Sequence, residues 1–264
     1  MHTGLDFYHY VTQELSRPRY QEKLRLVRHG YKVHSQSDED GIIAEIFKRI
    51  GVKNKTFVEF GVEHGIECNT LWLLMQGWSG LWIDGGASNC KRIAKTHAHY
   101  LQSGQLRVEN AFITKDNING ILSRNFSAPI VSEIDLLSID IDFNDYWVWQ
   151  AIADVEPRVV VIEYNASWPP PTAITVPYAP QGRWDGTSYF GASLGALAKL
   201  GASKGYALVG CCLTGTNAFF VRDDLVKGKF HKPGSAEEHY ERPRYFLSHM
   251  PSGHKPSVGP LVTV

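Results

Sequence analysis

The sequence predicts an α/β chain built on a doubly wound, mostly parallel sheet that closes with one antiparallel strand pair. Three observations carry this reading. From residue 55 onward, short β-branched and aromatic runs alternate with longer amphipathic stretches, the pattern of repeated strand–helix–strand units. Residues 158–164 contain the unbroken apolar run Val159 to Ile162, as expected of a strand buried on both faces of a parallel sheet. Late in the chain, residues 206–213 and 218–221 read as strands joined by Thr214-Gly215-Thr216-Asn217, short enough for a hairpin.

Taken in order, residues 1–34 are polar, with Phe7, Tyr8, Tyr10 and Tyr20 and a basic cluster over 25–29, and read as an extension packing on the main body. A helix follows Ser37, an expected N-cap with Asp40 three positions on. Ile42, Ile43, Ile46, Phe47 and Ile50 form its apolar stripe, and Gly51 stops it. Strand 56–60, helix 65–76, strand 81–84 and helix 91–101 come next. Strands 106–113 and 134–141 flank a further helical stretch, and helix 144–154 precedes strand 158–164. Residues 165–190 then carry five of the thirteen prolines, with Trp168, Tyr178, Trp184, Tyr189 and Phe190. A loop of this length inside a compact domain is usually a lid or a binding loop. A helix over 193–204 leads into the hairpin. The organisation expected is thus an extension (1–34), a main domain (35–224) and a C-terminal extension (225–264) without assignable elements.

Composition narrows the function classes. Lys plus Arg and Asp plus Glu number 27 each, so the formal net charge is zero. A broadly basic nucleic-acid binder or membrane-surface protein would be biased toward Lys and Arg. The most apolar run is far short of the roughly 20 residues that span a bilayer, and the first residues lack a signal-peptide pattern. Cys68, Cys90, Cys211 and Cys212 show no C-x-x-C spacing, so reduced core thiols and a cytoplasmic location are the expectation. The partner expected is a small molecule, with neither nucleic acid nor membrane; self-association into a homo-oligomer stays open.

The chemistry concentrates at the predicted strand ends, where open α/β sheets bind their ligands. Phe57-Val58-Glu59-Phe60-Gly61-Val62-Glu63-His64-Gly65 is a strand ending in an acid, then a glycine turn. A dinucleotide site would want G-x-G-x-x-G for its pyrophosphate. Here E-x-G-x-x-x-G puts Glu59 and Glu63 where a diphosphate is repelled and a cationic ligand, such as one with a sulfonium and an ammonium group, is welcome. Asp84, twenty-five residues beyond Glu59, is suited to accept hydrogen bonds from both hydroxyls of a ribose. Asp140 pairs with Asp142, and Glu163 with Asn165, on shared strand faces. If those strands are neighbours, up to four oxygen-bearing groups converge, suited either to Mg²⁺ or to deprotonating a substrate hydroxyl. Asp142 also reads as a helix cap with Asp145 three residues on. Among eleven histidines, His34, His64 and His254 lie where a general base could sit, and Trp168, Tyr178 and Trp184 could stack on a sugar or other ring.

Together these residues resemble the class I S-adenosylmethionine-dependent methyltransferases, in particular the FkbM-like group. The likeness runs from about Ser35 to Asp224: Ser35-Gln36 with Glu39-Asp40-Gly41, the Glu59–Gly65 turn, Asp84, Asp140-Ile141-Asp142, Val160 to Glu163, Gly205-Tyr206 and Asn217-Ala218-Phe219-Phe220. The resemblance implies a Rossmann-like, seven-stranded sheet of order 3-2-1-4-5-7-6 with strand seven antiparallel. It implies that Glu59, Gly61, Glu63 and Gly65 frame the methionine part of S-adenosylmethionine, that Asp84 holds the ribose, and that Asn110 and Ala111 lie near the adenine. It also implies O-methylation of a hydroxyl on a sugar or small natural product. Asp140, Asp142 and Asn165 would be catalytic, and would hold Mg²⁺ if a metal takes part. Two positions depart from the family: Glu63 replaces its middle glycine, and Phe143 follows Asp142 where relatives tend to have glycine, putting a bulky ring at the catalytic edge. An NAD-dependent oxidoreductase and a non-catalytic binding protein on the same scaffold remain alternatives.

Overall fold

A computed structural model of the chain describes residues 4–126, 133–248 and 253–264. The first three residues of the N-terminal extension and residues 249–252 of the C-terminal one therefore lie outside the described residues. Seven strands form the central sheet: β1 (Thr56–Phe60), β2 (Ser79–Asp84), β3 (Leu106–Asn110), β4 (Glu133–Ile139), β5 (Glu156–Glu163), β7 (Tyr206–Cys211) and β8 (Asn217–Arg222). Their order is β3-β2-β1-β4-β5-β8-β7. This is the expected order once β6 (Ile174–Thr175), which lies outside the sheet and pairs with β9 (Val262–Thr263), is left out of the count. β1 to β5 run parallel, and β8 is antiparallel to both neighbours.

The two faces of the sheet divide by the strand period of two. Val58, Phe60, Leu137, Ile139, Val160, Ile162 and Phe220 pack with Ile121, Trp149, Leu194 and Leu197. Phe57, Trp82, Leu136, Val159, Val161 and Phe219 pack with Ile42, Ile43, Ile46 and Phe47 on the other face. Cys211 and Cys212 fall into opposite cores. Each large apolar side chain withdrawn from water in this way contributes about 1.5–3 kcal/mol.

Several elements depart from the sequence expectation, each for a local reason. The helix after Ser37 spans Glu39–Ile50 with Asp38 as its first flanking residue; the Ser37 hydroxyl bonds the Asp38 and Glu39 carboxylates instead of the helix amides. Asp40 accepts the amides of Val33, His34 and Ser35, folding the preceding loop back on the helix. The helix expected over 65–76 shrinks to Leu71–Met75, because the Asn69 and Thr70 amides are committed to the Glu59 carboxylate. The next helix breaks into Ala87–Thr96 and Ala98–Gln102 at His97, whose Nε2 meets the Gly65 carbonyl at 2.7 Å. β3 and β4 end at Asn110 and Ile139, short of the expected 113 and 141. The edge strand β3 carries Glu109 in an ion pair with Arg124.

The extensions fold on the hairpin side. The helix Gly4–Leu15, unread in the sequence, brings Glu14 to Arg244, whose guanidinium also meets Glu241 at 2.9 Å and the Leu213 carbonyl at 2.9 Å. Glu14, Tyr20, Glu241 and Arg244 are all buried. Deeper in, Arg158 meets Asp135 at 2.6 Å and donates to the Ile50 and Gly51 carbonyls, so one cation both neutralises a buried acid and closes a helix C-terminus. No helix among the described residues is long and apolar enough to cross a membrane.

In the C-terminal extension His239 is 4 % exposed, with Nε2 3.1 Å from the Lys232 carbonyl. Burial pulls its pKa down to about 4. Since the unfolded imidazole titrates near 6.5, the unfolded chain binds more protons between these values, and stability falls as the pH drops from 6.5 to 4. Full protonation is expected to cost about 3 kcal/mol. His239→Gln keeps a donor for Lys232 and is expected to flatten this acid limb in urea titrations; an unchanged limb would assign the acid sensitivity elsewhere.

Candidate functional site

The carboxyl ends of β1, β2, β4 and β5 open onto two adjoining cavities of about 360 and 220 Å³. Gly61, Glu63, Asp140, Asp142 and Trp184 belong to the walls of both.

The larger cavity is built around Asp84. Its carboxylate accepts the Glu63 amide at 2.8 Å, the Gly86 amide at 2.7 Å and the Asn89 side chain at 2.9 Å. Gly85, Gly86, Ala111, Phe112, Ile113, Asn144, Gly182 and Arg183 complete its wall. Arg183 lies over the Phe112 ring at 4.8 Å. Ala111 lines the cavity, but Asn110 does not: its side-chain amide donates to the Asp84 carbonyl at 2.9 Å.

The turn between the cavities needs its glycines. Gly61 has φ +73°, and a Cβ there would lie 1.6 Å from the Asp140 carbonyl oxygen, because the exits of β1 and β4 nearly touch. Gly65 has φ +68°, and its Cβ would enter the Trp82 ring at 2.6 Å. Glu63, with φ +47°, is exposed and lines both cavities. Glu59, expected to frame a ligand, lines the smaller cavity with its carboxylate committed to protein donors. It is buried, and its carboxylate accepts from the Asn69 amide (2.7 Å), the Thr70 amide (3.0 Å), the Thr70 hydroxyl (2.5 Å) and the Ser138 hydroxyl (3.2 Å). Burial raises its pKa and these bonds act against that rise.

The smaller cavity is acidic. Asp140, Asp142 and Glu163 present carboxylate oxygens within 4.8 Å of one another, close enough to hold a cation together. Burial, then the neighbouring Asp142 and Asp145 carboxylates, push Asp140 well above the usual carboxylate range. Glu163 rises likewise through burial and through Asp140 and Asp142. Asp142 sits past the end of β4 at φ +65°, a left-handed conformation that aspartate tolerates better than most residues. It does not cap the following helix, Asp145–Ala151. Asn144 flanks that helix with its side chain on the backbone of Ala179, and Asp145 accepts the Ile141 amide at 2.8 Å.

Asn165 does not join the cluster. It is fully buried, donates to the Ser188 and Phe190 carbonyls at 2.9 and 3.0 Å and accepts the Ser167 amide, so it anchors the long loop. Glu163, two residues earlier, is the residue whose carboxylate completes the cluster with Asp140 and Asp142. Phe143 is also displaced from the catalytic edge: it lines neither cavity and packs 6.3 Å from Tyr189, under Gly182 of the loop. Of the three aromatic residues proposed to stack on a ring, only Trp184 reaches a cavity wall; Tyr178 bonds Asp116. Of the three candidate histidines only His254 lines it. Burial lowers its pKa, leaving a neutral imidazole at pH 7. Phe190, Asn217 and Tyr245 share that wall. Sequence reasoning missed Asn217 and Tyr245, although the antiparallel register Glu163↔Asn217 follows once the hairpin is docked on β5.

No protein-family profile matches the chain, and no curated protein does. Solved structures to which the chain is similar include the N-terminal domain of EvdMO1 with S-adenosylhomocysteine bound, at 12 % identity over 84 % of this chain and 96 % of that one (TM-score 0.46). Magnesium protoporphyrin IX methyltransferase from Synechocystis PCC 6803, with S-adenosylhomocysteine bound, shares 11 % identity over 83 % and 94 % (TM-score 0.46). A putative O-methyltransferase from Klebsiella pneumoniae shares 15 % over 81 % and 95 % (TM-score 0.44). At identities this low the likeness does not reach the chemistry, which rests on the chain's own residues.

Proposed function

We propose that this chain is an S-adenosylmethionine-dependent methyltransferase acting on a hydroxyl of a sugar or small natural product in the cytoplasm. The observation that supports it best is the pair of cavities meeting at Gly61 and Asp140: one with an acid and apolar walls sized for a nucleoside, the other acidic and lined by rings. The FkbM-like stretch from Ser35 to Asp224 supports the choice of acceptor. Phe143, lying under the loop, gives no reason to regard the site as blocked.

S-Adenosylmethionine, when bound, supplies a methyl group on a sulfonium: the acceptor oxygen bonds that carbon as the carbon–sulfur bond breaks, and the electron pair stays on sulfur. The protein's part is placement and proton transfer. Asp84 would hold the ribose hydroxyls, and Phe112 and Ile113 would flank the adenine. Gly61, lacking a side chain, leaves the backbone open beside the reacting centre. A carboxylate whose pKa is raised, as burial and crowding raise that of Asp140, is a stronger base for the departing hydroxyl proton. Holding the two reactants in line accounts for much of the rate gain in such a displacement.

Calorimetric titration with S-adenosylmethionine and S-adenosylhomocysteine tests the reading. Asp84→Ala removes two charge-assisted hydrogen bonds of about 1.5–3 kcal/mol each, so affinity is expected to weaken by at least about 100-fold, with the melting temperature recorded in parallel. Absence of binding to the native chain would dismiss the methyltransferase; binding of NAD in its place would favour the oxidoreductase.

A further inference from the structure

The smaller cavity has an excess of carboxylate that the cofactor, with one sulfonium and one ammonium against its own carboxylate, and a neutral acceptor would together leave uncorrected. Besides Asp140, Asp142 and Glu163, its wall includes Glu59, Glu63 and Glu67, and no lysine or arginine among the described residues. The Glu59 carboxylate is held by its own hydrogen bonds and Glu67 is paired with Lys32, which leaves the three-carboxylate cluster without a positive partner on the cavity wall. Its one imidazole, His254, is kept neutral by burial.

A second, independent observation points to a bound group. Glu163 Oε2, Asn217 Oδ1, the Tyr245 hydroxyl and His254 Nδ1 are buried without a hydrogen-bond partner. Asn217 is 3 % and Tyr245 7 % exposed, and both line this same cavity. Buried polar atoms are rarely left unpaired, and four on one wall, two of them oxygens that only accept, mark the outline of something that donates hydrogen bonds. Carboxylate and amide oxygens accept only, so that group must bring N–H or O–H donors together with positive charge.

We propose that the acceptor carries an ammonium group, as in an amino sugar or amino alcohol, which docks at Asp140, Asp142 and Glu163 beneath the rings of Trp184, Phe190 and Tyr245. The word acceptor rests on the methyl-transfer reading; the cation site does not. The rings decide between an organic cation and a metal. An ammonium is attracted to aromatic faces, whereas Mg²⁺ keeps much of its water shell and gains nothing from them. The ammonium keeps its own protons throughout; the proton lost in methyl transfer is that of the neighbouring hydroxyl.

The full-length chain, saturated with S-adenosylhomocysteine, is titrated with glucosamine against glucose and with 2-amino-1-propanol against 1,2-propanediol. Each amine is expected to bind at least tenfold more tightly than its neutral partner. Glu163→Gln keeps the shape and removes the charge, and Phe190→Leu removes a ring that lines only the smaller cavity; each is expected to erase most of that preference without moving S-adenosylhomocysteine affinity. Equal affinity within both pairs overturns the proposal. So does Mg²⁺ that binds the cluster and displaces the amines. Discrimination of amines by a chain that fails to bind S-adenosylhomocysteine would keep the cation site and discard the methyl-transfer reading.

Discussion

Gly61→Ala is expected to abolish binding of S-adenosylmethionine and to destabilise the fold. At φ +73° any other L-residue costs about 1–2 kcal/mol. The methyl group would also lie 1.6 Å from the Asp140 carbonyl, backbone that cannot rotate away. Forcing extra volume into a packed site costs about 1–3 kcal/mol more. The strain is relieved only if the exits of β1 and β4 separate, which moves Asp140 relative to the glycine turn and breaks the junction of the two cavities. Gly104→Ala is the matched control: its φ is +74° and nothing lies within 4 Å of its Cβ, so it reports the backbone cost alone. Urea unfolding and calorimetry on the two variants separate strain from collision. Native affinity in Gly61→Ala would show that the cofactor does not sit at this junction.

Arg244→Met is expected to cost about 3–5 kcal/mol, the range for removing one partner of a buried ion pair. The loss is large because two buried carboxylates, Glu14 and Glu241, meet this guanidinium at 3 % exposure, while their other cations, Arg17 and Arg19, are largely in solvent. At this chain length that corresponds to a melting temperature lower by on the order of 10 °C. Glu14 belongs to the N-terminal helix and Glu241 to the C-terminal extension, so limited proteolysis should cut both in the variant before the sheet. Adding Glu241→Gln removes a buried charge then held only by Arg19 and the Tyr20 hydroxyl, and should recover part of the loss. Arg244→Lys keeps the charge but lacks the fork that reaches Glu14, Glu241 and the Leu213 carbonyl together. A melting temperature unchanged in Arg244→Met would mean that the extensions do not depend on this contact.

The strands were readable because their burial is local in origin: β5 carries the apolar run Val159 to Ile162, and β1 and β4 sit between two neighbours each. Asp84 and Asp140 were found for the same reason, being the last polar residues at the ends of such runs. The rest depends on contacts between distant segments. Whether Glu163 or Asn165 faces the cluster is set by Asn165 meeting Ser188 and Phe190, a contact across the long loop. Phe143 turned out to be a loop prop because Gly182 leaves room for its ring. Tyr245 and His254 come from a C-terminal stretch without periodicity. The short helix at 71–75 was over-read because an apolar stretch looks helical even when its amides are taken by an acid elsewhere.

That acid has a thermodynamic consequence. By gathering the Asn69 and Thr70 amides and the Thr70 and Ser138 hydroxyls, Glu59 orders residues 61–70 during folding. The free-energy cost of fixing this loop therefore falls on folding rather than on ligand capture. A ligand arriving at the glycine turn meets a preorganised floor, and more of its contact energy remains as affinity.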